Sequence, residues 1–328
     1  MPVSRETPEP EVILAAAEVL ARGGLVAFPT ETVYGLGARG LRADEVEKIF
    51  VAKQRPSGHP LILHVDGEAM ASALASRWSD RASRLARAFW PGPLTLVVPR
   101  APSVPDVVTG GLATVGLRMP RHPVALALIA RVGEPLAAPS ANAHMHVSPT
   151  MAAHVVQSLG DRVDLVLDAG PCDHGIESTV IDLARDDEAP RVLRAGAASL
   201  DAIRAVVPEA VYEPLTVATD VARASPGLAS KHYAPRARVV LVDAPHLVDE
   251  HPGLRVGAIV WSEEARALLA HRSRTVFTLP PDPEAFARAL FATFYEADAA
   301  GLDLLLIERV PATPPWWAVT DRLARASS

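Results

Sequence analysis

The chain has 328 residues, with 32 Lys and Arg against 38 Asp and Glu and a formal charge of -6, so no global positive field marks it as a dedicated nucleic-acid binder. Its length suits two domains, its 49% hydrophobic content excludes wholesale disorder, and 30 prolines and 20 glycines punctuate many loops. The single cysteine, Cys172, excludes a disulfide scaffold or a cysteine-rich zinc site, and a polar, acidic start without an apolar run of about 18 residues points to a soluble, cytoplasmic protein free of any membrane partner.

Val12, Ile13, Ala16, Val19 and Leu20 recur at helical spacing over 11–22, and Gly23-Gly24 ends the run. Residues 25–28 read as a short buried strand, PTETVYGLGARG as a glycine-punctuated loop, and 44–51 as a helix. A helix over 77–89, broken by WPGP, precedes strands at 94–98 and 114–117 and a helix at 123–132. SANAHMHVSPT then leads to a helix at 150–159 and to the strand-like VDLVLD and STVIDL. After a helix at 200–206, the Pro-, Ala- and Ser-rich stretch 208–236 reads as an interdomain connector ending in KHYAPR. Strands at 239–242, 256–261, 274–279 and 302–308 then alternate with helices near 263–269 and 283–297, the pattern of a smaller open α/β domain. The domain reading is therefore 9–207, connector 208–236, and 237–328.

No Walker A or Rossmann GxGxxG spacing is present. The cations Lys53, Arg55, Arg118 and Arg194 are instead interleaved with Thr30, Thr32, Ser140, Asn142, Ser148, Thr150, Ser178 and Thr179. Such a set neutralises an anion and orients its oxygens from several loops. For KQRPSGHP the plain reading is an exposed basic turn; the functional one has Lys53 and Arg55 facing the same side of an extended segment and gripping a polyphosphate. His59, His64, His144, His146 and His154 lack a secure metal-ligand spacing, so no protein-held metal is expected. Cys172 and Trp316-Trp317 are assigned to packing.

FPTETVYGLG, AKQRPSGHPLILH, FWPGPLT, TVGLRMP, PLAAPSAN, SPT, GIESTVIDL and LRAGA occur in the order found in the threonylcarbamoyl-AMP synthase (YrdC-like) family, which the chain resembles over 11–199. SPGLASKHYAP and the following α/β segment resemble the long, two-domain form. The resemblance implies an α/β fold: an N-terminal YrdC-like twisted-sheet domain around a positive cavity, a linker that covers it, and a smaller Rossmann-like C-terminal domain. It implies a nucleotidyltransferase that joins ATP, L-threonine and bicarbonate or CO2 into L-threonylcarbamoyl-AMP and pyrophosphate, with Mg2+ carried by ATP. Separate tRNA threonylcarbamoyl transfer machinery would consume the product to make N6-threonylcarbamoyladenosine, and direct tRNA contact stays open.

Carried over, the resemblance puts Lys53, Arg55, His59, Thr114, Asn142, Ser148, Thr150, Arg194 and Tyr233 at ATP, with Lys53, Arg55 and Arg194 offsetting charge in catalysis. Thr32, His64, Arg118, Ser140 and Ser178 fall to threonine. Glu31 and His64 are general-base candidates by chemistry alone. The chain departs from the family pattern at His144-Met145, where a small residue and glycine are usual, and at LRAGA, where LRPGA is common. The alternative of a different class is a non-catalytic module that binds double-stranded RNA or tRNA through a local basic patch.

Overall fold

The computed structural model describes residues 1–212, 233–243, 251, 253–270 and 275–328. The strands are β1 (Val26–Phe28), β2 (Gly35–Arg39), β3 (Ile62–His64), β4 (Leu94–Pro99), β5 (Thr114–Arg118), β6 (Leu136–Ala137), β7 (Leu165–Val166), β8 (Thr179–Asp182) and β9 (Arg191–Arg194) in the first domain. Those of the second are β10 (Arg238–Val242), β11 (Val256–Val260), β12 (Thr275–Thr278) and β13 (Leu304–Glu308). The helices are α1 (Pro10–Ala21), α2 (Ala43–Lys53), α3 (Glu68–Ala73), α4 (Asp80–Phe89), α5 (Asp106–Thr109), α6 (Pro123–Val132), α7 (Ala152–Leu159), α8 (Leu200–Val206), α9 (Glu263–Leu269), α10 (Pro283–Ala299) and α11 (Trp317–Ala326).

Local chemistry explains most of these boundaries. Proline opens α1, α6 and α10, where its missing N–H removes no helical bond, and the side chains of Ser79, Ser199, Ser262 and Asp282 accept backbone N–H groups at the starts of α4, α8, α9 and α10. The apolar stripe Ile13, Ala16, Ala17 and Leu20 of α1 packs with Val124, Leu128 and Ile129 of α6 in one core cluster.

The first nine strands form one mixed sheet in the order β7-β1-β2-β6-β3-β5-β4-β8-β9, and the other four form a parallel sheet in the order β10-β13-β11-β12. The second core is shared between domains: Val33, Val147 and Ile176 pack with Phe291, Phe294 and Leu323. Among the described residues no helix is long and apolar enough to cross a membrane.

Three expectations change. GLGAR is strand β2, not loop: a Cβ at Gly37 would fall 2.7 Å from the Phe28 ring, so these glycines let an aromatic from the neighbouring strand lie flat on β2. Lys53 and Arg55 do not share an extended segment; Lys53 ends α2, and Gln54 turns the chain at φ 53 before Arg55. Of the connector 208–236, residues 213–232 lie outside the described residues, as do 271–274, including the first residue of the strand expected at 274–279.

Candidate active site

The sheet register builds the site. Ile62 pairs with Gly116 and His64 with Arg118, and residues two apart share a face, so Ile62, His64, Gly116 and Arg118 line one side of β3 and β5. Thr114 opens β5 and pairs with Pro99 of β4. Over this face lies a cavity lined among others by Thr32, Lys53, Arg55, His64, Arg118, Ser140, Asn142, Ser178, Arg194 and Tyr233.

These polar walls are buried, and their partners set their chemistry. Lys53 is 3% exposed and its ammonium donates to the carbonyls of Ser140 and Asn142, which leaves one of its three N–H groups for a ligand. Burial, with Arg55 and Arg162 nearby, holds it well below the usual lysine range. Arg55 touches the Pro60 carbonyl only at 3.4 Å, its Nε is buried without a hydrogen-bond partner, and its guanidinium lies 5.8 Å from the centre of the Phe50 ring. Burial lowers it to about 10, so it remains a cation short of anions. Arg194 clasps the Ser178 carbonyl through Nε and Nη2 at 3.1 and 2.9 Å, and the Ser178 hydroxyl meets that of Thr95 at 2.8 Å.

Arg118 pairs with Glu31 at 2.8 Å, while the second Glu31 oxygen accepts the Arg121 N–H at 3.1 Å. Burial pushes Glu31 up, but the charge and hydrogen bond of Arg118 and the backbone N–H donors together outweigh it, and the carboxyl stays below its ordinary range. Glu31 is therefore a fixed counter-ion for Arg118 and a poor general base. His64 is driven down to about 3 by burial and by Arg118, so it is neutral, and its Nδ1 is buried without a hydrogen-bond partner. The Asn142 amide nitrogen donates to the carbonyls of Ala143 and His146, and its Oδ1 is buried and unpartnered. Thr30 bonds the Thr32 hydroxyl at 2.8 Å and the Val33 carbonyl at 2.6 Å, closing the turn that carries Thr32.

Of the expected residues, Thr32, Lys53, Arg55, His64, Arg118, Ser140, Asn142, Ser178, Arg194 and Tyr233 line the cavity. His59 and Thr114 do not; the His59 ring lies 5.7 Å from that of His144, which does. Ser148 and Thr150 do not line the cavity; their hydroxyls turn inward, to Glu177 at 2.6 Å and to His154 at 3.3 Å. Sequence reasoning missed Glu177, which lines the cavity between Ser148 and Arg322. Its place beside Ser178 in GIESTVIDL was the available signal, whereas nothing local marks Arg322. Met145 occupies φ 69, so the glycine usual here meets a real left-handed turn.

A family model described as telomere recombination matches residues 18–196, and one described as the threonylcarbamoyl-AMP synthase C-terminal domain matches 198–328. The chain belongs to the threonylcarbamoyl-AMP synthase family. It is 40% identical to the threonylcarbamoyl-AMP synthase of Pyrococcus abyssi over 98% of this chain and 96% of that one, and 37% identical to that of Bacillus subtilis over 98% and 94%. The crystal structure of P. abyssi Sua5 complexed with L-threonine superposes with a TM-score of 0.91 at 39% identity, covering 100% of this chain and 97% of the other. The two-domain form of the family is thus present here, with both sheets.

Proposed function

We propose that this protein is an L-threonylcarbamoyl-AMP synthase, a nucleotidyltransferase acting on ATP, L-threonine and bicarbonate or CO2. The supporting observation is the cavity itself: buried cations and unpartnered polar atoms of Arg55, Asn142 and His64 converge on one cavity in a chain of this family. The threonine carboxylate goes to Arg118, whose guanidinium keeps donors beyond its contacts to Glu31 and Gly92, with His64, Thr32 and Ser178 around the rest of the amino acid. The phosphates go to Arg55 and the remaining Lys53 proton, with Arg194 and Asn142 alongside; Thr114 and His59 are carried to the nucleotide by the family resemblance.

In the reaction the nitrogen lone pair of the neutral threonine amine adds to the carbon of CO2, one C=O electron pair moves onto oxygen, and the nitrogen sheds one proton to water to give a carbamate. A carbamate oxygen then attacks the α-phosphorus of ATP, its bond to the bridging oxygen breaks, and pyrophosphate leaves. Arg55, Lys53 and Arg194 offset the charge that develops, and enclosure protects the labile carbamate from water. Proximity does the rest, because two anions must be held together against their repulsion. Among the described residues no group of three or more His, Cys, Asp or Glu could hold a metal ion. Mg2+ would enter with the nucleotide, held chiefly by its phosphates. The product would pass to a separate activity that transfers the threonylcarbamoyl group to tRNA.

An RNA-binding role would need these charges on an outer face, and Lys53, Arg118 and Arg194 are each no more than 4% exposed. The test is purified protein with ATP, Mg2+, L-threonine and bicarbonate. Threonine-dependent pyrophosphate release is expected; its absence beside tight, salt-sensitive RNA binding would replace the synthase with the RNA module.

A further inference from the structure

Behind the cavity wall, the last helix of the chain reaches into the first domain. Glu177 divides its carboxylate between the two: Oε1 accepts the Ser148 hydroxyl at 2.6 Å, and Oε2 accepts Nε of Arg322 at 2.7 Å. Arg322, on α11, has no exposed surface, donates Nη1 to Asp321 at 2.6 Å, and holds Nη2 buried without a hydrogen-bond partner. Its guanidinium carbon lies 5.1 Å from the centre of the Tyr233 ring, which stacks on Phe291 of α10 at 5.7 Å. Tyr233 itself sits at φ 62, a conformation that a bulky residue keeps only when its surroundings impose it. Glu177 and Tyr233 line the cavity beside Arg194 and Ser178, whereas Arg322 touches both from behind.

A buried ion pair is weak evidence for a stability role, because removing both charges from water consumes most of what their attraction returns. What a guanidinium does here that a packed apolar side chain would not is hold a carboxylate ionised in one orientation while presenting its flat face to an aromatic ring. Burial pushes Glu177 up, yet Arg322 and then Arg194 bring it below the ordinary carboxylate range, in keeping with a fixed anion.

Resting on the synthase reading, we propose that Arg322 is a positioning residue by which the C-terminal domain sets Glu177 and Tyr233 in the wall of the ATP site beside Arg194. The C-terminal domain then braces, from behind, the wall of a site whose polar lining comes from the first domain and, in Tyr233, from the end of the connector.

The test uses the full chain as a double-mutant cycle: Arg322→Met, Glu177→Gln, and both together. The single Arg322→Met variant leaves a carboxylate uncompensated and loses stability; the paired variant removes both charges and keeps a folded protein to measure. Arg322→Met is expected to weaken ATP binding, read by calorimetry, by about 10-fold and to raise the apparent KM for ATP alike, with the KM for threonine and kcat at saturating ATP within about threefold. Arg322→Lys, which keeps the charge without the planar fork, should restore only part of the affinity. In the Glu177→Gln background the Arg322→Met effect should shrink, since much of it passes through Glu177. Unchanged ATP affinity in the folded variants, or equal Arg322→Met effects with and without Glu177, would overturn the role and leave Arg322 as a fastener between domains. Failure of the synthase reading shows separately, as ATP binding by the unaltered chain without threonine-dependent pyrophosphate release; the affinity comparison still decides the place of Arg322.

Discussion

Arg55 and Lys53 share a sequence motif but differ in what the fold asks of them. Arg55 has one long contact to a carbonyl and a buried Nε without a partner, so its guanidinium is held for a ligand. Arg55→Ala should lower the rate of pyrophosphate release by about 100-fold with little change in a urea midpoint. Lys53 ties down the Ser140 and Asn142 carbonyls, so Lys53→Ala should lose activity and also destabilise by roughly 1–3 kcal/mol through orphaned carbonyls. Full turnover by a folded Arg55→Ala protein would remove the phosphate assignment. At Met145 the left-handed backbone at φ 69 predicts that glycine outperforms alanine. The left-handed conformation costs a residue with a Cβ roughly 1–2 kcal/mol, and glycine's greater unfolded-state freedom returns about 0.5–1 kcal/mol of that. Met145→Gly should therefore be the more stable of the two in denaturant, with ATP use altered only modestly; equal midpoints would mean the turn is not strained.

Among the elements, the two domains meet closely at Gly175, at φ 68. A Cβ there would sit 2.4 Å from the Arg288 carbonyl oxygen of α10, while Arg288 Nε donates to Asp173 at 2.6 Å. Gly175→Ala must therefore push α10 away as well as accept a strained backbone. Gly133, at φ 74 after α6, has nothing within 4 Å and provides the control. Gly133→Ala should cost only the backbone term, about 1 kcal/mol, and Gly175→Ala at least twice that. Thermal unfolding of the two variants decides it, and equal losses would show that α10 yields freely. Gly37 applies the same physics inside a sheet, and it is why a segment with loop-like composition became β2: glycine there records the Phe28 ring across the strand, not a turn.

For the molecule as a whole, burial makes the fold acid-sensitive through its histidines. His64 is lowered to about 3 and His122, His144 and His154 to about 4, in each case first by burial. Below the ordinary value of 6.5 the unfolded chain takes up protons that the folded one refuses, so stability should fall as pH drops from 6.5 toward 4. Urea midpoints should be lower at about pH 5.5 than at about pH 7.5, with net proton uptake on unfolding; a flat profile would contradict this burial. The two domains should also resist separation. Ile203, Val207 and Ala210 belong to the first core, so a chain cut after Ser199 loses part of that core, and one cut after Tyr212 keeps it but bares Val33, Val147 and Ile176. Both pieces should be less soluble than the full chain, the shorter also less stable to urea, and equal behaviour would mean that the second core does not depend on the first domain.

The amino-acid sequence by itself determined much of the alternation of helix and strand, the extents of α6 and α8, and the set of Lys, Arg, Ser, Thr and Asn residues that meet in the cavity, because periodicity and ordered motifs are local and survive in one dimension. It missed the α2 ending at Lys53, the inward turn of the Ser148 and Thr150 hydroxyls, the capture of Glu31 by Arg118, and the reach of Arg322 to Glu177 across 145 residues. Only the tertiary structure decided those, because a buried charge takes its state and its direction from whichever partners packing brings within about 3 Å, and those partners come from distant parts of the chain.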